Sequence, residues 1–354
     1  MDSFSRVGGI LMPVLSKQGP FVFLILFSTT AVLLLLRTVL SRGTNERPES
    51  CLEKPKLDSS VVVVPTINPL EEFRWENEQQ HKIRAFKPIY HITMAVRSDT
   101  PSELITIDCG YLNRLRLRRE LLQSENDTVH GCTSLSYDKS MFFNLVTGEN
   151  HPTTPPSDPK AALKILGTTV EEDLFLLKNT PDGHQCVAFV CCFPSGWNPS
   201  SKLGAHMTKI HTTVPSYEKI GPSIERFFSR LQVGKGVKRS NWTVQTHDKL
   251  FNVKGNHIRP GEEAEEEDIE VDKVNIRARR TANFDANAQY SSCALSFKTY
   301  LYPIQEIKAE GLGTEFADAI EGLQKGNAPG MWRYKGAIRW GKRCVSTFEH
   351  KALF

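Results

Sequence analysis

Between Phe193 and Pro215 the chain reads FPSGWNPSSKLGAHMTKIHTTVP, which places two histidines, two lysines, a tryptophan and three prolines within 23 residues. His206 and His211 are five positions apart, about 140° around a helix, so they do not share a face as the two ligands of an H-E-x-x-H zinc site do. One imidazole therefore acts alone, or neither acts. A single neutral imidazole suits an axial haem ligand, because one protein nitrogen holds the iron while the opposite position stays open. A purely structural role is the ordinary one for a lone histidine and stands beside that reading.

Other chemistries lose their motifs. Gly234-Lys235-Gly236 and Gly311-Leu312-Gly313 lack the third glycine of a dinucleotide-binding turn. There is no Walker lysine motif, no G-x-S-x-G, no C-x-x-C and no D-x-D of the kind expected of many lumenal sugar transferases. The 354 residues carry 44 basic and 40 acidic side chains, a net charge of +4. That balance, without a basic block interleaved with aromatics, gives no case for nucleic acid. With 40% hydrophobic and 24% charged residues the bulk is ordinary globular chain, long enough to bury a sizeable core. The eight cysteines include Cys186, Cys191 and Cys192 around an apolar run, which reads as buried free thiols.

The elements that must position the Phe193–Pro215 segment are mixed. Tyr90–Val96, Asn241–Gln245 and Cys293–Tyr302 read as strands, and Gln185–Phe193 as a buried central strand. Leu112–Leu122 and Ile220–Leu231 read as helices, as does Ile304–Leu323 with interruptions at Gly311 and Gly313. Val170–Leu177 reads as a short acidic helix. Glu262–Asp272, with eight acidic residues in eleven, reads as a solvated loop. Strands and helices without regular alternation favour α+β over a doubly wound sheet.

Residues 21–40 begin FVFLILFSTTAVLLLL and are long enough to span a bilayer if Arg37 snorkels. The run ends in four leucines and an arginine, not in a small-residue cleavage site, so an uncleaved anchor is expected in preference to a signal peptide. Arg37, Arg42, Arg47, Lys54 and Lys56 follow it and place the body in the cytosol by the positive-inside rule. The sequons at Asn126 and Asn241 point the other way, towards a lumenal body, although such tripeptides also arise by chance.

Several blocks resemble the haem-dependent oxidative N-demethylase-like family, over roughly residues 70–325. They are Phe86-Lys87-Pro88 leading into Tyr90–Met94; Ile107-Asp108 with Tyr111 and Arg119; and Val170–Leu174 with Leu176-Leu177. Then come Phe193–Trp197, Lys202–Gly204, and Ile210-His211 before Val214-Pro215, with Arg226-Phe227-Phe228 and Arg239–Trp242 completing the series. Order and spacing hold throughout. The resemblance implies a PAS-like antiparallel sheet with flanking helices, here preceded by one transmembrane helix. It further implies haem b bound through a histidine, O2 as co-substrate, an external electron donor such as a flavin or iron–sulfur reductase, and oxidative demethylation of a small amine or related metabolite. His211 matches the signature histidine and His206 is the alternative ligand. Lys202, Trp197 and Arg239 are the other expected cofactor contacts.

One block departs from the family. Where the family carries (His or Glu)-Arg-Gln-Thr-Leu, this chain has Ala278-Arg279-Arg280-Thr281-Ala282. Arg279 and Thr281 are the retained candidates for catalysis. If the block shapes the substrate pocket, its changes imply altered substrate chemistry or lost catalysis. Arg279 could hold a haem propionate or an acidic substrate bidentately, or Arg279 and Arg280 could simply be a solvated strand end.

The expected organisation is a tail (1–20), a transmembrane helix (21–40), a polar linker (41–80), the haem-demethylase-like domain (81–325, with the acidic loop at 261–272) and a C-terminal extension (326–354). The expected protein is a single-pass one that meets membrane lipid through residues 21–40. It would sit in the endoplasmic reticulum or another endomembrane with a cytosolic body. A catalytically inert PAS-like ligand-binding module and a lumenal transferase are the competing functions.

Overall fold

The computed structural model describes residues 73–349, apart from 101–102, 104, 133–140, 145–148, 153–157, 233–234 and 288–291. Its strands are β1 (Arg97–Asp99), β2 (His130–Cys132), β3 (Met141–Asn144), β4 (Glu149–Pro152), β5 (Asp173–Thr180), β6 (Gly183–Val190), β7 (Gly236–Gln245), β8 (Asn275–Asn287) and β9 (Ser292–Pro303). Seven of them form one open antiparallel sheet in the order β1-β7-β8-β9-β5-β6-β2, while β3 and β4 pair separately. The helices are α1 (Tyr111–Ser124), α2 (Asn126–Val129), α3 (Pro159–Thr169), α4 (Met207–Ile210), α5 (Gly221–Phe228), α6 (Ile304–Ala309), α7 (Gly313–Glu321), α8 (Met331–Tyr334) and α9 (Ala337–Glu349).

Side-chain alternation along the strands sorts the core onto two faces. On one face, Leu174, Leu176, Val190, Ala282 and Ala294 pack against Leu121 and Leu122 of α1 and Leu163 and Leu166 of α3. Further along, Trp242, Ile276, Tyr300 and Tyr302 meet Phe316 and Ile320 of α7 and Trp340 and Cys344 of α9. The other face presents Phe175, Leu177, Phe189 and Leu295 to Met207 of α4, Tyr217, and Ile224 and Phe228 of α5. Helix α3 starts where it does because the Asp158 carboxylate accepts from Lys160 N and Ala161 N, with Pro159 in the first turn. Cys186, Cys191 and Cys192 are buried free thiols.

The fold expected from the sequence is corrected in one respect. No helix among the described residues is long and apolar enough to cross a membrane. The expected span, residues 21–40, lies outside the described residues. The transmembrane helix preceding the fold is therefore set aside, together with the single-pass placement in the endoplasmic reticulum or another endomembrane and the cytosolic body. What stands is an α+β fold built on an open seven-stranded sheet.

Two local readings also change. Tyr90–Val96 is not a strand, since β1 begins only at Arg97. Val170–Leu177 is not a helix: β5 begins at Asp173, and Glu171, Glu172 and Asp173 are buried. Cations far along the chain make that possible. Lys298 lies 2.7 Å from Glu171 and 2.8 Å from Asp108, and the Arg118 guanidinium lies 2.7 Å from Asp173. The Glu262–Asp272 run is the exposed loop its acidity leads one to expect, and Glu266, Glu267 and Asp268 pair at the surface with Lys342, Arg339 and Arg343 of α9. Residues 326–349, read as an extension, supply Met331, Trp340, Cys344 and Val345 to the same core as α7.

Candidate functional site

A cavity of about 530 Å³ lies over the sheet face that carries β5, β7, β8 and β9. That is within the range of small-molecule and cofactor sites. Its apolar wall includes Phe175, Leu177, Ile224, Phe227, Phe228, Leu295 and Phe297.

The segment Phe193–Pro215 forms its rim, and Asp173 fixes the segment's start. Asp173 accepts from Cys192 N at 2.7 Å and from Phe193 N at 3.0 Å, in addition to pairing with Arg118. Arg277 then ties the next carbonyls to the sheet, donating to Phe193 O at 2.7 Å, Pro194 O at 3.0 Å and Leu250 O at 2.9 Å. Burial lowers the Arg277 pKa to about 9. At Gly196 the backbone has φ of 74°, and a Cβ there would meet Asn256 N at 2.9 Å, so only glycine lets this turn pack so closely. Trp197 follows and tilts against Phe175, with ring centroids 5.8 Å apart.

His211 ends α4 and lines the cavity. Its Nδ1 sits 2.8 Å from Met207 O. A carbonyl only accepts, so Nδ1 carries the proton and Nε2 keeps its lone pair. The ring lies flat on Tyr217, whose buried hydroxyl has no hydrogen-bond partner among the described residues. Burial above all, with the nearby Lys202 and Arg239 charges, lowers the His211 pKa to about 4 and keeps the ring neutral at physiological pH. His206 is placed differently. It is not among the cavity-lining residues, and its Nε2 lies 3.3 Å from Thr180 Oγ1.

The remaining sequence candidates converge on the same cavity. Lys202, Trp197, Arg239, Arg279 and Thr281 all line it. The Trp197 ring has Lys202 Nζ and the Arg279 guanidinium carbon each 5.9 Å from its centroid. Arg279 donates to Phe193 O at 3.3 Å and stands 5.1 Å from the Phe297 ring centroid. The altered block lies mid-strand in β8, so strand alternation separates its residues. Arg279 and Thr281 face the cavity, while Ala278, Arg280 and Ala282 do not line it. Arg280 is buried against Asp99 at 3.1 Å, which removes the solvated-strand-end reading.

Sequence reasoning missed His257, Tyr334, Lys335 and Arg277, all of which line the cavity. His257 mirrors His211, with Nδ1 3.2 Å from Tyr334 O and its ring flat on the Tyr334 ring. Burial lowers its pKa to about 4. Lys335 donates to Trp242 O and to Asn241 Oδ1 at 3.1 Å, and burial, then Arg239, lowers its pKa to about 7. No local motif marks these residues, because their partners are remote in sequence.

Among the described residues no three His, Cys, Asp or Glu side chains converge as a metal-holding set. The donor set fits haem b: a neutral imidazole with a free Nε2, an apolar wall, and cations within reach of propionates.

No curated protein matches the chain. Residues 133–345 match the family model described as haem-dependent oxidative N-demethylase, alpha subunit-like. The match includes the whole of the Phe193–Pro215 rim, β7 to β9, and most of α9. It leaves out the Phe86–Met94 and Ile107–Arg119 blocks. Because it covers more than half of the 354 residues, the chain belongs to the haem-dependent oxidative N-demethylase alpha subunit-like family.

Proposed function

We propose that this protein is a haem-binding oxidoreductase of the demethylase type, with His211 as the axial ligand. The observation that carries the reading is the His211 tautomer. Met207 O accepts the Nδ1–H hydrogen bond and leaves Nε2 as a lone-pair donor on a ring lining a cavity of haem-compatible size.

Haem b, when bound, supplies O2 binding and activation for oxidising a methyl group, with electrons from a separate flavin or iron–sulfur donor. The protein's own residues do the rest. Tyr217 fixes the plane of the His211 ring, and burial keeps that ring unprotonated. Phe175, Phe227, Phe228 and Leu295 wall the cavity with apolar side chains that exclude water. Lys202 and Arg239, which line the cavity, would offer charge to the propionates. Arg279 and Thr281 face the cavity, and the altered positions around them do not line it. This supports a pocket whose own residues survive the change, in preference to an inert module.

Reconstitution with haem b tests the reading. The protein should take up about one haem per chain with a Soret band characteristic of histidine ligation, and the loaded protein should release formaldehyde from an N-methyl compound when given O2 and electrons. Absence of a Soret band above that of free haem would overturn it.

A further inference from the structure

Among the described residues seven cationic ones line the cavity, namely Lys202, Lys209, Arg239, Arg259, Arg277, Arg279 and Lys335, and no aspartate or glutamate does. Several are already engaged. Arg277 donates from both terminal nitrogens to backbone carbonyls and Gln245 Oε1, with only its Nε unpartnered among the described residues, and Lys335 donates to Trp242 O and Asn241. Lys209 and Arg259 are exposed. Arg239 is different. It makes no hydrogen bond or ion pair among the described residues, and burial lowers its pKa. Its register partner on β8 is Thr281, and Asn241 is opposite Arg279. Arg239 and Arg279 are therefore diagonal neighbours on one sheet face, with Cα atoms about 7–8 Å apart.

A carboxylate reaching between two side chains that rise from one sheet face would neutralise both. Among the described residues no carboxylate lines the cavity to do so. The buried Thr243 hydroxyl, which can donate to an anion, also lines the cavity without a hydrogen-bond partner among the described residues. Trp197 and Phe297 flank the Arg279 guanidinium, so an apolar body attached to the anion has a surface to lie on.

We infer that Arg239 and Arg279 form a carboxylate clamp, so that this cavity takes an organic anion with an apolar body and not the ammonium form of a small amine. The carboxylate belongs either to a small organic acid or to a haem propionate, and the clamp needs a planar fork that arginine provides and lysine does not. The inference deepens the proposed function, because the same cavity is used, but it stands on the haem-free protein as well.

The test is calorimetric titration of the full-length chain, purified without haem and again after haem b loading. Benzoate and dimethylammonium are the probes, at matched ionic strength. Benzoate should bind the haem-free protein, and Arg239→Gln and Arg279→Gln should each weaken it about tenfold or more. Arg239→Lys and Arg279→Lys keep the charge and serve where the glutamine variants fold poorly by circular dichroism; they should also weaken binding. If haem loading leaves benzoate binding intact, the clamp serves a small acid. If loading abolishes it, the clamp holds a propionate. Failure of benzoate to bind the haem-free protein, binding indifferent to all four variants, or tighter binding of dimethylammonium would overturn the clamp. A protein that binds benzoate through both arginines but takes up no haem would keep the clamp and defeat the haem reading.

Discussion

His211 lies flat on Tyr217, with ring centroids 4.5 Å apart and planes 6° apart, and His257 repeats the arrangement on Tyr334 at 4.5 Å and 7°. Each ring donates Nδ1–H to a backbone carbonyl, and each is held neutral by burial. The cavity therefore has two imidazoles of fixed tautomer, and only one of them sits in the segment that sequence spacing singles out.

Those two histidines make stability depend on pH in a defined window. Their folded pKa values are lowered from 6.5 to about 4. Between those values the unfolded chain takes up protons that the folded protein refuses, so stability falls as pH drops through the window. The full effect is about 3 kcal/mol for each histidine. Glu171, raised to about 7 by burial, runs in the opposite sense. The histidine contribution is therefore read as a difference. Between pH 7 and 4.5 wild type should lose more stability in denaturant titrations than His257→Gln does, whereas superimposable pH profiles would remove the account of burial.

Asp173 joins the buried ionic cluster to the rim of the cavity. Its carboxylate accepts from Arg118, which is 0% exposed, and from the amides of Cys192 and Phe193. Asp173→Ala should cost about 3–5 kcal/mol, because it leaves a buried guanidinium without its counter-ion. Chemical denaturation measures this, and a loss below about 1 kcal/mol would show that the backbone carbonyls around Arg118 suffice.

Arg279 and Arg280 are adjacent in sequence and opposite in role. Arg280 pairs with Asp99 on the far side of the sheet, where Lys238 also lies 3.2 Å from the carboxylate. Arg280→Gln should therefore lower stability by about 1–3 kcal/mol and leave ligand binding in the cavity unchanged. Equal loss of ligand affinity in Arg280→Gln and Arg279→Gln would contradict the assignment of the two side chains to opposite faces.

Much of this arrangement is legible in sequence, and what is not legible has a common cause. The apolar run ending at Phe193, the helix after Tyr111 and the glycine break at Gly311 follow from local pattern, and the structure contains each of them. Glu171–Asp173 misleads because three successive carboxylates suggest a surface helix. Their burial depends on Arg118 and Lys298, and Lys298 is 127 residues beyond Glu171. The alternating arginines of β8 look like a solvated edge, since nothing local says that one face closes over a cavity. His257 is silent because its partner Tyr334 is 77 residues away. Acidic residues 266–268 suggest a free loop until the basic positions of α9 are seen beside them.

The most direct measurement is haem stoichiometry of His211→Ala and His206→Ala beside wild type, after identical loading with haem b and removal of excess. His211→Ala should lose the Soret band or retain haem only weakly, because Nε2 of His211 is the proposed iron ligand. His206→Ala should keep the wild-type spectrum, because its ring faces Thr180 outside the cavity. A His211→Ala protein with wild-type Soret band and stoichiometry would contradict the assignment.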